Sequence, residues 1–199
     1  YPDGKVWIPE GFKVAGDSAS TVQGGVVIED KDLNQFVWVP VATLADYKRM
    51  AYSYNVATEE TDTATNSIKI KYNSSLYNYY FTEAMPDDEK KSVDTYKGFY
   101  IGRYEAGTET ERTAKTDPLT MPLVQANKYP YVYVTRDQAK EQAEAMYSGN
   151  KYVTSELTSS YAWDTALNFI CQTNEEGYLL ATTNDSTYGN IGTNSPTKT

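Results

Sequence analysis

The chain has 199 residues, a net charge of −9, a pI near 4.6 and a mean hydropathy of −0.62, enough material for one large domain or two small ones. An acidic surface repels phosphate backbones, so nucleic acid is excluded as an expected partner, and no run approaches the roughly 20 apolar residues of a membrane span. There is no histidine and a single cysteine, Cys171, which removes the commonest general base and metal ligand, catalytic triads and any intramolecular disulfide.

Tyr1-Pro2-Asp3-Gly4 reads as a mature or trimmed start. KVWIP, residues 5–9, reads as a strand before the Gly/Ser-rich turn AGDSAST. GGVVIED and NQFVWVPV then face each other across DKDL as a hairpin, being β-branched or aromatic and bounded by turn chemistry. Pro40 closes the second strand or sits at an edge. TLADYKRMAY, residues 43–52, predicts a short helix, with Thr43 and Asp46 in a capping pattern. Residues 1–52 are thus an N-terminal β-hairpin region.

Residues 53–95 change character and read as a Tyr/Thr/Asn-rich insertion with a little β structure, since NSIKIKYN alternates like a half-exposed strand. Asp87, Asp88 and Glu89 running into Lys90 and Lys91 suggest a solvated loop or a helix start. KGFYIGRYEA, residues 97–106, predicts another strand. After a polar loop, TRDQAKEQAEAMYSG predicts a helix. Thr135 is its N-cap, Gln138 completes a capping box, Ala139, Ala143 and Met146 form its apolar stripe, and Gly149 ends it. TSELTSSYAWDTALNFICQT predicts a second helix from near Thr154. Its core stripe is Trp163, Ala166, Leu167 and Ile170, with Cys171 buried and slow to react beside it. From Glu175 onward the chain reads as loop.

Two stretches carry candidate sites. Asp30, Asp32 and Asn34 place oxygen side chains at every second position, a spacing that can wrap Ca²⁺ as in the first part of an EF-hand loop. The glycine and the distant bidentate glutamate of that loop are missing, and the same residues suit a polar hairpin turn; both readings stay open. The tract YNSSLYNYYF brings Tyr72, Tyr77, Tyr79 and Tyr80 into ten residues. It is either an aromatic platform for a glycan or a neighbouring subunit, or a strand packed on the domain.

GFYIGRYEAG, PYVYVTRDQAKEQAEAM and VTSELTSSYAWDTALNFI occur in an order that resembles the formylglycine-generating-enzyme-like (sulfatase-modifying-factor) family. The strand with glycine and a Tyr-Glu pair is carried by Gly102, Tyr104 and Glu105. The Pro-Val-x-x-Val-Ser/Thr-Trp stretch and its helix are carried by Pro130, Val132, Val134, Thr135, Asp137 and Ala139, with Arg136 where the family has Trp. Glu156, Leu157, Trp163 and Ala166 match the last helix loosely. IPEGF…GGVVIED…NQFVWVPV resembles the leading hairpin of bacterial surface and phage members.

The resemblance implies an α+β, C-type-lectin-like fold with a twisted antiparallel sheet and two helices. Residues 96–199 would form its core, incomplete at the C-terminal end. The resemblance also implies that the strand 97–106 is scaffold. Its open edge would then be filled by a neighbouring subunit or by the 53–95 insertion folding back. The family's copper-binding cysteine pair, its Gly-Asn-Val-Trp-Glu-Trp-like stretch and its Arg-Gly-Gly stretch are absent, as are the histidines of related iron oxygenases.

The expectation is therefore a non-catalytic extracellular or cell-surface binding or assembly module. Its partner would be a protein or glycan ligand or copies of itself, and it would carry no transition metal. The alternatives are a structural subunit of an extracellular filament or surface assembly, and an inactive or truncated relative of the oxidase.

Overall fold

The computed structural model describes residues 1–49, 56–62, 67–72, 80–81 and 84–173, the strands between 56 and 81 by their backbone alone. In chain order these form β1 (Phe12–Val14), β2 (Val27–Asp30), β3 (Gln35–Pro40), β4 (Val56–Asp62), β5 (Ser67–Tyr72) and β6 (Tyr80–Phe81). Then come α1 (Asp87–Tyr96), β7 (Gly98–Gly102), β8 (Gly107–Thr108), β9 (Tyr129–Pro130), α2 (Arg136–Ala145) and α3 (Ser160–Thr173). The class is α+β. An antiparallel four-stranded sheet runs β1-β2-β3-β7, with a separate three-stranded sheet β4-β5-β6 and a small pair β8-β9.

Residue contacts divide the described chain into two units. One holds Tyr1–Trp38 and Tyr100–Thr158; the other holds the described part of Val39–Phe99 and residues 159–173.

In the first unit the hairpin forms as its alternation requires. Val27 pairs with Val37, Ile28 with Phe36 and Glu29 with Gln35, and Pro40 ends β3. Val22, Val26 and Trp38 form a buried cluster with Val6 and Tyr100 against it. Residues 5–9 are not a strand. The N-terminal segment is instead held by side-chain bonds and packing. The Asp3 carboxylate accepts from the Val22 and Gln23 amides at 2.8 and 2.9 Å, Val6 enters the cluster, and the Tyr100 hydroxyl donates to the Trp7 carbonyl at 2.9 Å. The expected capping box on α2 is present, Thr135 Oγ1 accepting from the Gln138 amide and Gln138 Oε1 from the Thr135 amide.

In the second unit Val41, Tyr47, Val93, Tyr161 and Ala162 form the core, with Leu44, Met85 and Phe99 packed on it. The described part of residues 43–52 is a single turn rather than a helix. Asp46 and Tyr47 amides donate to Thr43 and Leu44 carbonyls three residues back, and the chain stops turning where Tyr47 plugs the core at 1% exposure.

Among the described residues the helices number three, not two, because the acidic run at 87 opens α1. Three carboxylates in its first turn complement the helix dipole, and Val93 supplies its one buried contact. Lys97 ends it in the left-handed conformation, φ 59°, its amide returning to the Val93 carbonyl.

α3 begins at Ser160, later than Thr154, and its buried face shares only Ala166 with the expected stripe. Tyr161, Ala162, Thr165, Ala166 and Phe169 face inward, whereas Trp163 and Ile170 are 55% and 39% exposed. Cys171 is half-buried, and partial desolvation pushes its thiol up. The apolar count alone favoured Trp163. Asp164 lies on the inward side as well, buried against Arg49.

The strand expected over 97–106 is β7, residues 98–102. At its end Gly102 allows close packing, since a Cβ there would lie 3.0 Å from both Val124 Cγ1 and the Tyr104 carbonyl. The described strands of the 53–95 segment form their own sheet and do not pair with β7, so that part of the edge expectation is corrected.

Candidate functional site

Charged side chains in each unit gather around buried carboxylate or guanidinium groups. In the first unit the centre is Asp30, at the end of β2 and 7% exposed. Its Oδ1 accepts from the backbone amides of Asp32 and Asn34, both at 2.9 Å. Its Oδ2 accepts from Asn34 Nδ2 at 2.9 Å and from the Tyr147 hydroxyl at 2.6 Å. Asn34 in turn accepts from the Val124 amide at 2.9 Å, and Gln125 Nε2 donates to the Asp32 carbonyl at 2.7 Å. Tyr147 is delivered by the end of α2 and fixed in an aromatic triple with Phe12 and Phe36, ring centroids 5.3 and 6.0 Å away. Burial raises the Asp30 carboxyl, but the four donated hydrogen bonds outweigh it and hold the group below its ordinary 3.8. Burial, then the bond to Asp30, pushes the Tyr147 hydroxyl well above its ordinary 10.0.

Of the candidate calcium residues, the fold brings Asp30 and Asn34 together as a hydrogen-bonded turn and turns Asp32 outward to Lys31, 2.6 Å away. Both Asp30 oxygens face donors, an arrangement suited to fastening a hairpin tip to the segment around Val124 and to Tyr147. Among the described residues no group of three or more acidic or sulfur ligands could hold a metal ion.

Arg112, 4% exposed, fastens the long loop of the same unit. Its Nε donates to the Val132 carbonyl, Nη1 to the Asp117 and Pro118 carbonyls and Nη2 to the Tyr133 carbonyl, while its charge lies 5.4 Å from the Tyr131 ring centroid. Asp117 closes the loop by accepting from the Thr113 and Ala114 amides, which hold its carboxyl below the ordinary value.

Arg103, from the GFYIGRYEAG stretch, donates to Asp17 and to Gln35, both at 2.8 Å. Its role is to tie that stretch to β3 and to the 15–21 turn, as scaffold.

In the second unit Glu89 Oε1 accepts from the Tyr47 hydroxyl and from Ser159 Oγ, the latter at 2.7 Å, while Oε2 is buried with no partner among the described residues. Ser159 also caps α3, its Oγ accepting from the Ala162 amide at 3.0 Å. Alongside, Arg49 Nε donates to Asp164 Oδ2 at 2.7 Å, with side chains only 15% and 9% exposed. Polar groups here join α1, the 43–47 turn and the start of α3.

Of the tyrosine tract, Tyr77 and Tyr79 lie outside the described residues. The ladder pairs Val56 with Tyr72 and Lys71 with Tyr80, so Tyr72 and Tyr80 hold positions of opposite parity in the β4-β5-β6 sheet.

Sequence reasoning missed Arg112, Tyr147 and the Arg49–Asp164 pair, and read Glu89 only as part of a solvated charge run or helix start. The one signal on the page was Asp164 itself, an acid in the middle of an apolar helical run. The partners lie 115 residues apart for Arg49–Asp164 and 117 for Asp30–Tyr147, beyond any local pattern.

Comparison with protein-family models, curated proteins and solved structures finds no match. No helix among the described residues is long and apolar enough to cross a membrane.

Proposed function

We propose that the chain is a non-catalytic binding or assembly module of extracellular or cell-surface type, on a scaffold like that of C-type lectins and the formylglycine-generating-enzyme-like family. The observation that carries this reading is the division of labour among the side chains. The buried charged groups of both units, Asp30, Arg112 and Asp164, are engaged with neighbouring elements of their own unit. Bulky apolar groups face out: Trp163 and Ile170 on one face of α3, and Trp7, Tyr133 and Tyr152 on the other unit. Exposed tryptophan and tyrosine are the side chains that most often supply binding energy at protein and glycan surfaces. The antiparallel sheet and the capped helix following Pro130 support the family resemblance, and the missing histidines and second cysteine support a role without its chemistry.

The test is light scattering across a wide concentration range, together with glycan-array binding, on wild type and on Trp163→Ser. The expected result is concentration-dependent association or glycan binding that the variant weakens at least tenfold, with its unfolding midpoint unchanged. Copper-dependent oxidation of a cysteine-containing peptide by the wild-type chain would overturn the reading, as would a strict monomer that binds nothing.

A further inference from the structure

We draw no further inference here: the strongest candidate, the buried and partnerless Oε2 of Glu89 between α1, Tyr47 and the start of α3, belongs to the cluster already described, and no second group among the described residues aims at it to say what ligand it would take.

Discussion

Asp30 and Glu89 are both carboxylates drawn into the interior of their units, and they are treated in opposite ways. Asp30 has two donors on each oxygen, and two of those donors are backbone amides whose positions the hairpin tip itself fixes. Glu89 receives both of its donors on one oxygen and leaves the other bare. A closed acceptor set makes a carboxylate a fastener: every neighbour is oriented toward a negative charge and none can be neutralised without leaving another unpaired. A half-open set makes a weaker one, because the bare oxygen carries a desolvation cost that no bond offsets. The two units therefore differ in how strongly their polar groups specify the fold, and substitutions at each can test the difference.

The largest effect is expected at Arg112, the most fully engaged charge in the first unit. Arg112→Met keeps much of the buried stem and removes donors from four backbone carbonyls at once. Water can reach some of these, so the expected loss is about 3–5 kcal/mol rather than the sum of four full penalties. Urea unfolding followed by tyrosine fluorescence would read it. A loss below about 1 kcal/mol would mean that the loop carrying Asp117 and Pro118 does not depend on the guanidinium.

Asp30→Asn comes next. The amide that replaces one oxygen must face either two backbone amides or the Asn34 amide and the Tyr147 hydroxyl, and Asn34 cannot turn its oxygen round without releasing Val124. The expected cost is about 2–3 kcal/mol from opposed donors. Calcium offers a second measurement on the wild type. Since each Asp30 oxygen already accepts two hydrogen bonds, millimolar Ca²⁺ is expected to leave the unfolding midpoint where it was, and a rise that grows with calcium concentration would reinstate the metal reading of Asp30, Asp32 and Asn34.

How much of this was legible depended on sequence distance. The hairpin of β2 and β3, the strand at 98 and the Thr135 capping box were readable because each is decided by residues within a few positions of one another. The face of α3 was not, because the apolar spacing of Trp163, Leu167 and Ile170 competes with that of Tyr161, Ala162 and Phe169 and local pattern does not choose between them. The buried side also holds Asp164, whose partner Arg49 lies 115 residues away. The 43–47 turn failed as a helix for a related reason: Asp46 Oδ2 accepts from the Thr43 amide and hydroxyl, but Tyr47 is taken into the core and the turn ends there. At Asp30 the sequence showed the acidic spacing correctly, yet the donors that define its chemistry are amides and a tyrosine that no spacing rule contains.

Tyr147→Phe probes the same fastener more gently, with an expected cost of about 1 kcal/mol at neutral pH from the lost bond. The pH profile is the sharper readout. Asp30 titrates below its ordinary 3.8 in the folded chain. Its contribution is therefore fully present above the unfolded value and drains away as pH falls through the lower, folded one. Tyr147 titrates above its ordinary 10.0, so its contribution is present below that value and is lost as pH rises toward the folded one. Removing the hydroxyl takes away one of the donors that depress Asp30 and abolishes the tyrosine's own titration. The variant should show a shallower loss of stability below pH 4 and a shallower loss above pH 10 than the wild type. Equal slopes on both limbs would mean that the 2.6 Å contact does not govern either group.

The smallest effect is expected at Glu89→Gln, and it decides the comparison. Glutamine keeps an oxygen to accept from Tyr47 and Ser159, so the link between the 43–47 turn, α1 and the cap of α3 survives. Its amide takes the place of an oxygen that had no partner, exchanging one unsatisfied group for another of lower charge. Two terms oppose: a neutral acceptor binds the two hydroxyls less strongly and gives up the favourable interaction with the α1 dipole, worth about 0.3–1 kcal/mol, while the cost of holding a charge away from water disappears. The net change is expected to stay within about 1 kcal/mol, well below that of Asp30→Asn measured in the same buffer. If the two amide substitutions cost the same, Glu89 Oε2 is engaged in solution, and the contrast between a closed and a half-open carboxylate is wrong.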